Sequence, residues 1–391
     1  MKKIFFFLFA TSITFAQTNT EVFLYTLSNT NGNFKITNGK NISNNPGYDS
    51  QPHFYSKKAI VFSSTRNKLT DIAKYTIETG KIEFLNDTPN GGEYSPQRIP
   101  KSKDVSAVRL DNDGLQRFYK YDAKTGDSKE IVADLKVAYP MWYTKNTLIA
   151  VSIVGDDLDL VISELSSKKN TTIQKKTGRS LHHIPNSNLI SYISKASDKW
   201  EIRSLDPKTG ITKKIVNTVG KKEDICWLPD GTILTAYNNM LLKFNPKKDE
   251  NWSIFHTFLS DEINNISRII VNNEGTKLAL VAEESPKHIV QKQVEAYNNR
   301  DIDAFLATYT KGVKVYTFPN TLNYEGREEM RKRYAPMFQK TKDLHCKIIK
   351  RIVNGAKVID EELVTSNGNQ FKAVAIYQVT NGKISSVTFL K

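Results

Sequence analysis

Residues 74–85 read KYTIETGKIEFL, and the same pattern recurs without gaps as KYDAKTGDSKEIV at residues 120–132 and SLDPKTGITKKIV at residues 204–216. Each copy has the form of a strand, a turn ending in Thr-Gly, and a second strand. Glycine suits such turns because tight hairpins require a positive φ. A degenerate copy, VISELSSKKNTTIQ, fills the gap at residues 161–174. The sequence therefore predicts a repeated β-hairpin.

A second hairpin signature runs out of phase with the first. It reads WLPDGTIL at residues 227–234 and VNNEGTKLAL at residues 271–280, and further copies start near Pro52, Tyr94, Tyr139 and Leu181. Six starts at roughly 41 to 45 residues apart, with four short strands in each unit, are typical of propeller blades. We predict an all-β six-bladed propeller over residues 17–284.

The sixth repeat has only two clear strands of its own. We expect the segments EVFLYTL (residues 21–27) and FKITN (residues 34–38) to complete it from the other end of the propeller. The ring would then close without exposed sheet edges, which otherwise invite aggregation.

The pattern changes from strand to helix near Ser285, where a capping hydroxyl precedes a proline. Residues 285–391 predict two helices, a strand at 313–318, a third helix at 328–338 and a four-stranded meander. Asn-Gly pairs join the meander strands, and this dipeptide between alternating apolar runs is a strong hairpin signal. The predicted second domain is therefore α+β, with three helices against an antiparallel sheet.

The propeller repeats, and the Pro-Asp-Gly-Thr hairpin at residues 229–232 in particular, resemble the TolB-like propeller family. The resemblance implies a docking module for other proteins, or the non-catalytic domain of a peptidase. A peptidase of that kind would need a hydrolase domain with a Gly-x-Ser-x-Gly nucleophile elbow. The sequence contains no such motif, which favours the docking module.

Three stretches of the second domain, at residues 290–320, 324–338 and 351–365, resemble the nuclear transport factor 2-like (SnoaL-like, ketosteroid isomerase-like) superfamily. The resemblance implies a cone formed by a curled antiparallel sheet and three helices around an apolar pocket. Members include isomerases, cyclases, dehydratases and binding modules, so the fold alone does not settle the activity.

Ketosteroid isomerase chemistry needs a carboxylate base and two oxyanion donors, a tyrosine and a protonated acid. The resemblance puts the base at Thr317 and the tyrosine at Gln293, and residues 371–391 contain no Asp or Glu for the donor acid. All three roles are vacant, which argues against that reaction and favours a protein that is not an enzyme.

Other candidates remain for the pocket. Asp360 and Glu362 lie two apart on a predicted strand and so face the same side, where they could act as acid and base. His345, Tyr316 and Tyr377 could join them as ligand-pocket residues. The alternative is that Asp360, Glu361 and Glu362 are solvated at a strand end and pair with Arg351 or Lys372 across the sheet.

The first residues have the form of a signal peptide. Lys2 and Lys3 precede an apolar run, and small residues precede a cleavage site after Ala16. We expect residues 1–16 to be removed and the protein to be exported to the periplasm or the medium, and we expect no transmembrane segment in the mature chain. The alternative is that these residues form a buried first strand.

The net charge of +15 and the two cysteines indicate which binding partners, metals and cofactors to expect. The basic residues are interspersed rather than clustered with aromatic residues, so we do not expect nucleic-acid binding. Cys226 and Cys346 fall in different predicted domains, and no Cys/His spacing indicates zinc or another metal. We expect no cofactor.

The sequence as a whole favours an exported binding or interaction protein. Its propeller would dock an envelope or extracellular protein, and its cone domain would bind a small apolar ligand or form a homodimer. The alternative is a small-molecule isomerase, lyase or hydrolase that acts in the cone pocket.

Overall fold

The computed structural model of the chain describes residues 19–30, 32–45, 47–259 and 263–390. The predicted signal peptide, residues 1–16, lies outside the described residues. Thirty strands and three helices follow one another along the described chain, and they form six four-stranded sheets and one six-stranded sheet. The predicted fold class is confirmed.

The first two strands of the described chain do not belong to the sheet formed by the strands that follow them. They are β1 (Thr20–Thr30) and β2 (Asn33–Asn41). The first complete sheet then comprises β3 (Asp49–Ser56), β4 (Ala59–Arg66), β5 (Leu69–Thr76) and β6 (Ile82–Phe84). The second comprises β7 (Gly91–Arg98), β8 (Val105–Asp111), β9 (Gln116–Tyr121) and β10 (Ser128–Val132).

The next three sheets repeat this plan. They comprise β11 (Val137–Trp142), β12 (Thr147–Val154), β13 (Asp157–Glu164) and β14 (Lys169–Gln174); then β15 (His182–His183), β16 (Ile190–Ser194), β17 (Glu201–Leu205) and β18 (Thr212–Asn217). The last of these three, the fifth sheet of the propeller, comprises β19 (Ile225–Trp227), β20 (Ile233–Tyr237), β21 (Met240–Phe244) and β22 (Ser253–Thr257).

The sixth sheet joins the two ends of the propeller. The strands β23 (Ile263–Val271) and β24 (Lys277–Glu284) form one half, and their order in the sheet is β2-β1-β24-β23. β1 pairs antiparallel with β24, from Thr20 opposite Glu283 to Thr26 opposite Lys277. The prediction that the first strands complete the last blade is confirmed.

The propeller core fills the gaps between neighbouring sheets. On β1, Phe23 and Tyr25 pack toward the fifth sheet, while Val22 and Leu24 pack toward the first. Both sides of such a strand are buried, so its sequence is nearly continuously apolar rather than alternating. Four further clusters occupy the other four gaps in the same way.

The turns show why the repeat is recognisable. Gly80, Gly126 and Gly210 take φ values of 70°, 79° and 74° in the three aligned hairpins. The degenerate copy has Lys168 at the corresponding turn, with φ of 54°. A lysine tolerates this left-handed conformation at some cost in free energy. The hairpin is therefore preserved although its glycine is not.

The second domain begins one residue after β24. Ser285 caps α1 (Pro286–Asn298), and Asp301 caps α2 (Ile302–Ala307). The strands β25 (Tyr309–Thr317) and β26 (Thr321–Glu325) form a hairpin that leads into α3 (Arg327–Lys340). The meander consists of β27 (His345–Asn354), β28 (Lys357–Ser366), β29 (Asn369–Thr380) and β30 (Lys383–Leu390).

These strands form one six-stranded sheet in the order β26-β25-β30-β29-β28-β27. The prediction of a wholly antiparallel sheet was wrong at one place, because β25 and β30 pair in parallel, while the other neighbours are antiparallel. Strand β26 was not predicted, because four of its five residues are exposed at the sheet edge and the segment lacks an apolar alternation. A separate hydrophobic core lies between the sheet and the three helices. Among the described residues, no helix has both the length and the apolar character needed to cross a membrane.

Candidate functional site

A cavity of about 590 Å³ lies between the sheet of the second domain and the helices α1 and α3. Its wall is largely apolar and aromatic, and includes Val294, Tyr297, Tyr334, Met337 and Phe389. The aromatic rings are packed against one another: the centroids of Tyr297 and Tyr334 are 6.4 Å apart and their planes are close to perpendicular. Small-molecule sites are typically concave cavities of this size and character, with a few polar groups.

Strand alternation brings one carboxylate into this wall. Val358, Asp360, Glu362 and Val364 are all buried, while the residues between them are partly exposed. Successive side chains on a strand point to opposite faces, so these four share the inner face of β28. Glu362 is the member of this row that lines the cavity together with Val364.

The environment of Glu362 changes its acidity. Burial, together with the nearby charge of Asp360, raises the pKa of Glu362 from 4.5 to about 7. The hydroxyl of Tyr377 donates a 2.8 Å hydrogen bond to Oε1 of Glu362 and partly offsets this effect. A carboxyl group with a pKa close to neutral exists in both protonation states at physiological pH, and it can accept or donate a proton.

Helix α1 supplies a second polar group to the wall. Gln293 lies on the buried face of the helix and lines the cavity. Its Oε1 is buried and has no hydrogen-bond partner among the described residues. An unpaired buried acceptor costs roughly 1–3 kcal/mol. A bound molecule with a hydroxyl or N–H group at this place would remove that cost.

Asp360 is buried but belongs to a different arrangement. Arg351, directly opposite on β27, donates to its two carboxylate oxygens at 2.7 and 2.6 Å and also donates to Gln291 at 2.9 Å. The pair with Arg351 was predicted, whereas solvation of Asp360 and Glu362 was not correct, because both side chains face the domain interior. Asp360 is therefore held in a structural ion pair and does not line the cavity.

The structure does not place His345 or Tyr316 on the cavity wall. His345 is exposed at the start of β27, while the next residue, Cys346, is buried and lines the cavity. Val315 lines the cavity, while its neighbour Tyr316 does not. Both predictions were wrong by one position: the neighbouring residue lines the cavity instead, because the side chains of a strand alternate between its two faces. Of the predicted set, Glu362 and Tyr377 are brought together in the cavity.

Sequence reasoning also missed several groups that the cavity contains. Gln293 and Tyr297 are four residues apart on α1 and so lie on one face of it, a spacing visible in the sequence. Cys346 carries no such signal, and burial raises the pKa of its thiol to about 12. Thr317, at the position of the isomerase base, is bonded to Asn323 at 3.0 Å and does not line the cavity.

Comparisons with known proteins find one similarity for each of the two folds. Residues 290–387 match the family described as the SnoaL-like domain. An NTF2-like protein of unknown function from Cytophaga hutchinsonii is similar to 27% of this chain and 88% of its own length, with 18% identity and a TM-score of 0.24. No curated protein sequence matches the chain at a significant level.

The propeller is similar to two proteins called TolB. The structure of putative TolB from Agrobacterium tumefaciens matches 68% of this chain and 98% of its own, with 9% identity and a TM-score of 0.52. TolB from Acinetobacter baumannii matches 68% of this chain and 64% of its own, with 16% identity and a TM-score of 0.44. The chain thus joins a six-bladed propeller with the TolB fold to a C-terminal SnoaL-like domain.

Proposed function

We propose that the SnoaL-like domain binds a small, mainly apolar molecule in the cavity beside Glu362, with one polar group of the ligand held by Glu362 and Gln293. The observation that carries this proposal is the unpaired Oε1 of Gln293 in a wall that is otherwise largely apolar. A cavity of about 590 Å³ is large enough for a molecule of drug-like size. Apolar contacts would supply affinity, and the polar pair would fix the orientation.

A binding test can use the mature chain and a panel of small apolar compounds with and without a hydroxyl group. Binding would be followed by the shift in melting temperature and by native mass spectrometry. We expect the hydroxylated compounds to bind more tightly, and Gln293→Leu to remove that preference, because the amide oxygen would no longer accept the hydroxyl proton.

Glu362→Gln and Glu325→Gln form a matched pair for this test. Glu325 is exposed on β26 of the same sheet and lies 4.0 Å from Lys314, and neither of these two side chains lines the cavity. We expect the first substitution to change affinity and the second to leave it unchanged. If both variants bind the panel as the unsubstituted chain does, the cavity is not the binding site.

A second candidate function is proton transfer catalysed in the same cavity by Glu362. The pKa of about 7 favours it, since a general acid or base works best near the operating pH. An isomerase, lyase or hydrolase of this kind would convert the bound compounds, and mass spectrometry of the panel after incubation would detect the products. Loss of conversion in Glu362→Gln with retained binding would favour the enzyme, and absence of conversion would leave the binding function.

The propeller half of the proposal is that the protein is exported and docks an envelope or extracellular protein. The signal-like pattern of residues 1–16 and the absence of a nucleophile elbow in the sequence support it. Cell fractionation and the N-terminal sequence of the mature protein test export, with Gln17 as the expected first residue. A cytoplasmic protein that retains Met1 would contradict it.

A homodimer through the second domain is the remaining part of the proposal. The sheet exposes two large apolar side chains on β27, Ile349 and Ile352, and the latter is 60% exposed. Such side chains on a sheet face favour association. Light scattering during size exclusion should give twice the mass of the chain, and Ile352→Glu should give the monomer. A monomer for the unsubstituted chain at high concentration would overturn this part.

A further inference from the structure

A second cavity, of about 470 Å³, lies in the propeller. Residues from the first strand of every complete sheet and from β23 line it, so all six blades contribute to its wall. These strands are the ones that contact their counterparts in neighbouring blades, for example β3 with β7 and β19 with β23. The cavity is therefore the central channel of the propeller.

Six polar residues form a ring in this channel, one from each blade, at roughly 44-residue intervals along the chain. They are Gln51, Ser95, Tyr139, Ser180, Asp224 and Arg268. Contacts run between neighbours in the ring: the amide N–H of Ser95 donates to Oε1 of Gln51 at 2.7 Å, and Nη1 of Arg268 donates to Oδ1 of Asp224 at 3.1 Å. These contacts indicate that the six residues lie at about the same depth in the channel.

The charges at this level do not balance. Asp224 is the single carboxylate among the described residues that line the channel, and two guanidinium groups, those of Arg268 and Arg179, bind it. A further acid, Glu223, lies 3.8 Å from Arg179 and 2.7 Å from Lys195, so the linked group holds three cationic and two anionic side chains. One positive charge is therefore uncompensated in a partly desolvated space, where its interaction with an anion is stronger than in water.

Arg268 is the group with donors to spare. Arg179 also donates to the carbonyl oxygen of Ser267 at 3.0 Å. Among the described residues, the side chain of Arg268 makes one hydrogen bond, to Asp224, and its guanidinium lies 5.5 Å from the ring centroid of Tyr139. A guanidinium has five N–H donors in a planar fork, which matches the two oxygens of a carboxylate.

Neutral polar groups also line the channel, among them His53, His182 and Gln51. Burial lowers the pKa of both His53 and His182 to about 4, so neither imidazole adds a charge at neutral pH. The amide oxygen of Gln51 accepts from Ser63 and Ser95, which leaves its NH2 group available. The single excess charge therefore matches a singly charged anion better than a doubly charged phosphate.

The backbone supports a functional role for the ring. Gln51 and Ser95 have φ values of 56° and 51°, and each precedes a proline. A left-handed conformation is costly for a residue with a side chain, and such strain tends to persist at functional sites. In both cases the strain occurs at an irregularity of the strand pairing that faces the channel.

We infer that the propeller channel binds a singly charged carboxylate, whose two oxygens accept hydrogen bonds from the Arg268 guanidinium and from the NH2 group of Gln51. This site is separate from the cavity of the SnoaL-like domain and does not depend on its function. The carboxylate would belong either to a small organic acid or to the C-terminus of a peptide.

The test measures binding to the full mature chain by isothermal titration. The probes are acetate, benzoate, and a tetrapeptide with either a free or an amidated C-terminus. Binding of benzoate or acetate identifies a small acid, and binding of the free but not the amidated tetrapeptide identifies a peptide terminus. Arg268→Gln should weaken binding by about tenfold or more, because a charged hydrogen-bonded pair is lost.

Two variants make the result interpretable. Arg268→Lys keeps the charge beside Asp224 but not the fork, so it should fold and still bind several times more weakly. Arg203→Gln removes an arginine of the same propeller that is paired with Glu201 away from the channel, and it should bind as the unsubstituted chain does. Equal binding by Arg268→Gln and Arg203→Gln would overturn the inference, as would the failure of all four probes to bind at millimolar concentration.

Discussion

The hydrogen bond between Tyr377 and Glu362 runs along the sheet rather than straight across it. In the ladder of β28 and β29, Glu362 is opposite Ala373, while Tyr377 is opposite Val358. The hydroxyl nevertheless reaches Oε1 of Glu362 at 2.8 Å, over the small side chain of Ala375. The position of the carboxylate in the cavity therefore depends on a tyrosine four ladder pairs away, and the small Ala375 lies between them on the same face of β29.

Tyr377→Phe tests this dependence. The ring is retained, but the hydroxyl that stabilises the ionised carboxylate is lost, so the pKa of Glu362 should rise above its value of about 7. Carbon-13 NMR of labelled glutamate side chains would follow the titration. Tyr316→Phe is the control, because Tyr316 does not line the cavity. An unchanged Glu362 titration in Tyr377→Phe would show that the hydrogen bond has no electrostatic effect.

Glu21 predicts a pH-dependent stability of the propeller. Burial raises its pKa from 4.5 to about 7, helped by the charges of Asp49 and Glu284. A raised pKa means that the folded state holds the proton more tightly. The contribution of Glu21 to stability is therefore complete below pH 4.5 and is lost as the pH rises through 7, by on the order of 3 kcal/mol.

Glu21→Gln should make this dependence shallower, because the amide does not ionise, while Asp49, whose pKa burial raises to about 6, retains part of the slope. Chemical denaturation of the propeller between pH 4.5 and 8 would measure it. Glu274→Gln is the control. Glu274 is exposed between β23 and β24, in the same blade as Glu21, and pairs with Lys57, so this variant should retain the slope of the unsubstituted chain. A slope in Glu21→Gln as steep as in the control would contradict the assignment.

The buried pair of Arg351 and Asp360 should be costly to break. Asp360 is completely buried, so Asp360→Asn leaves the guanidinium without its charge partner, and we expect a loss of about 3–5 kcal/mol in unfolding free energy. Replacing both residues with apolar side chains should recover part of that loss. Urea denaturation of the two variants provides the comparison. A double variant less stable than Asp360→Asn would show that the pair does more than satisfy its own charges.

Both thiols should be inert in the folded protein. Cys226 and Cys346 are free and buried, and burial raises the pKa of the Cys346 thiol to about 12. The reactive thiolate is therefore rare at neutral pH. A thiol reagent should modify neither cysteine in buffer and both in urea. Rapid labelling of Cys346 in buffer would mean that the cavity admits the reagent and stabilises the thiolate.

Much of the fold was accessible from the sequence because its strongest signals are local. Two of the meander turns, Asn367-Gly368 and Asn381-Gly382, have positive φ at both residues, as a tight hairpin requires. Strand β26 carried no such signal, since its residues are mostly exposed. Closure of the ring by β1 was predictable because the last repeat lacked two strands.

The site was harder to predict because the face of a strand depends on its register. A shift of one residue exchanges every side chain of the strand between interior and surface. For this reason Cys346 and Val315 line the cavity, whereas the adjacent His345 and Tyr316, which were predicted to do so, do not. The unusual acidity of Glu362 arises from burial by helices and strands distant in the sequence. Local patterns do not encode such an environment. The channel charges of Arg268 and Asp224 are likewise one blade apart.

The pairing of β1 with β24 also sets the order of events during synthesis. Residues 20–26 are made long before their partners at 277–283, because the strands of the other five blades lie between them in the sequence. Phe23 and Tyr25, which pack toward the fifth sheet, must therefore remain without those neighbours while the intervening blades are produced. Contacts so distant in the sequence are slow to form, and the edge of β1 that later pairs with β24 is prone to aggregate meanwhile. A chaperone that covers the nascent N-terminal strand would thus contribute more to the yield of folded protein than one that acts on the C-terminal domain.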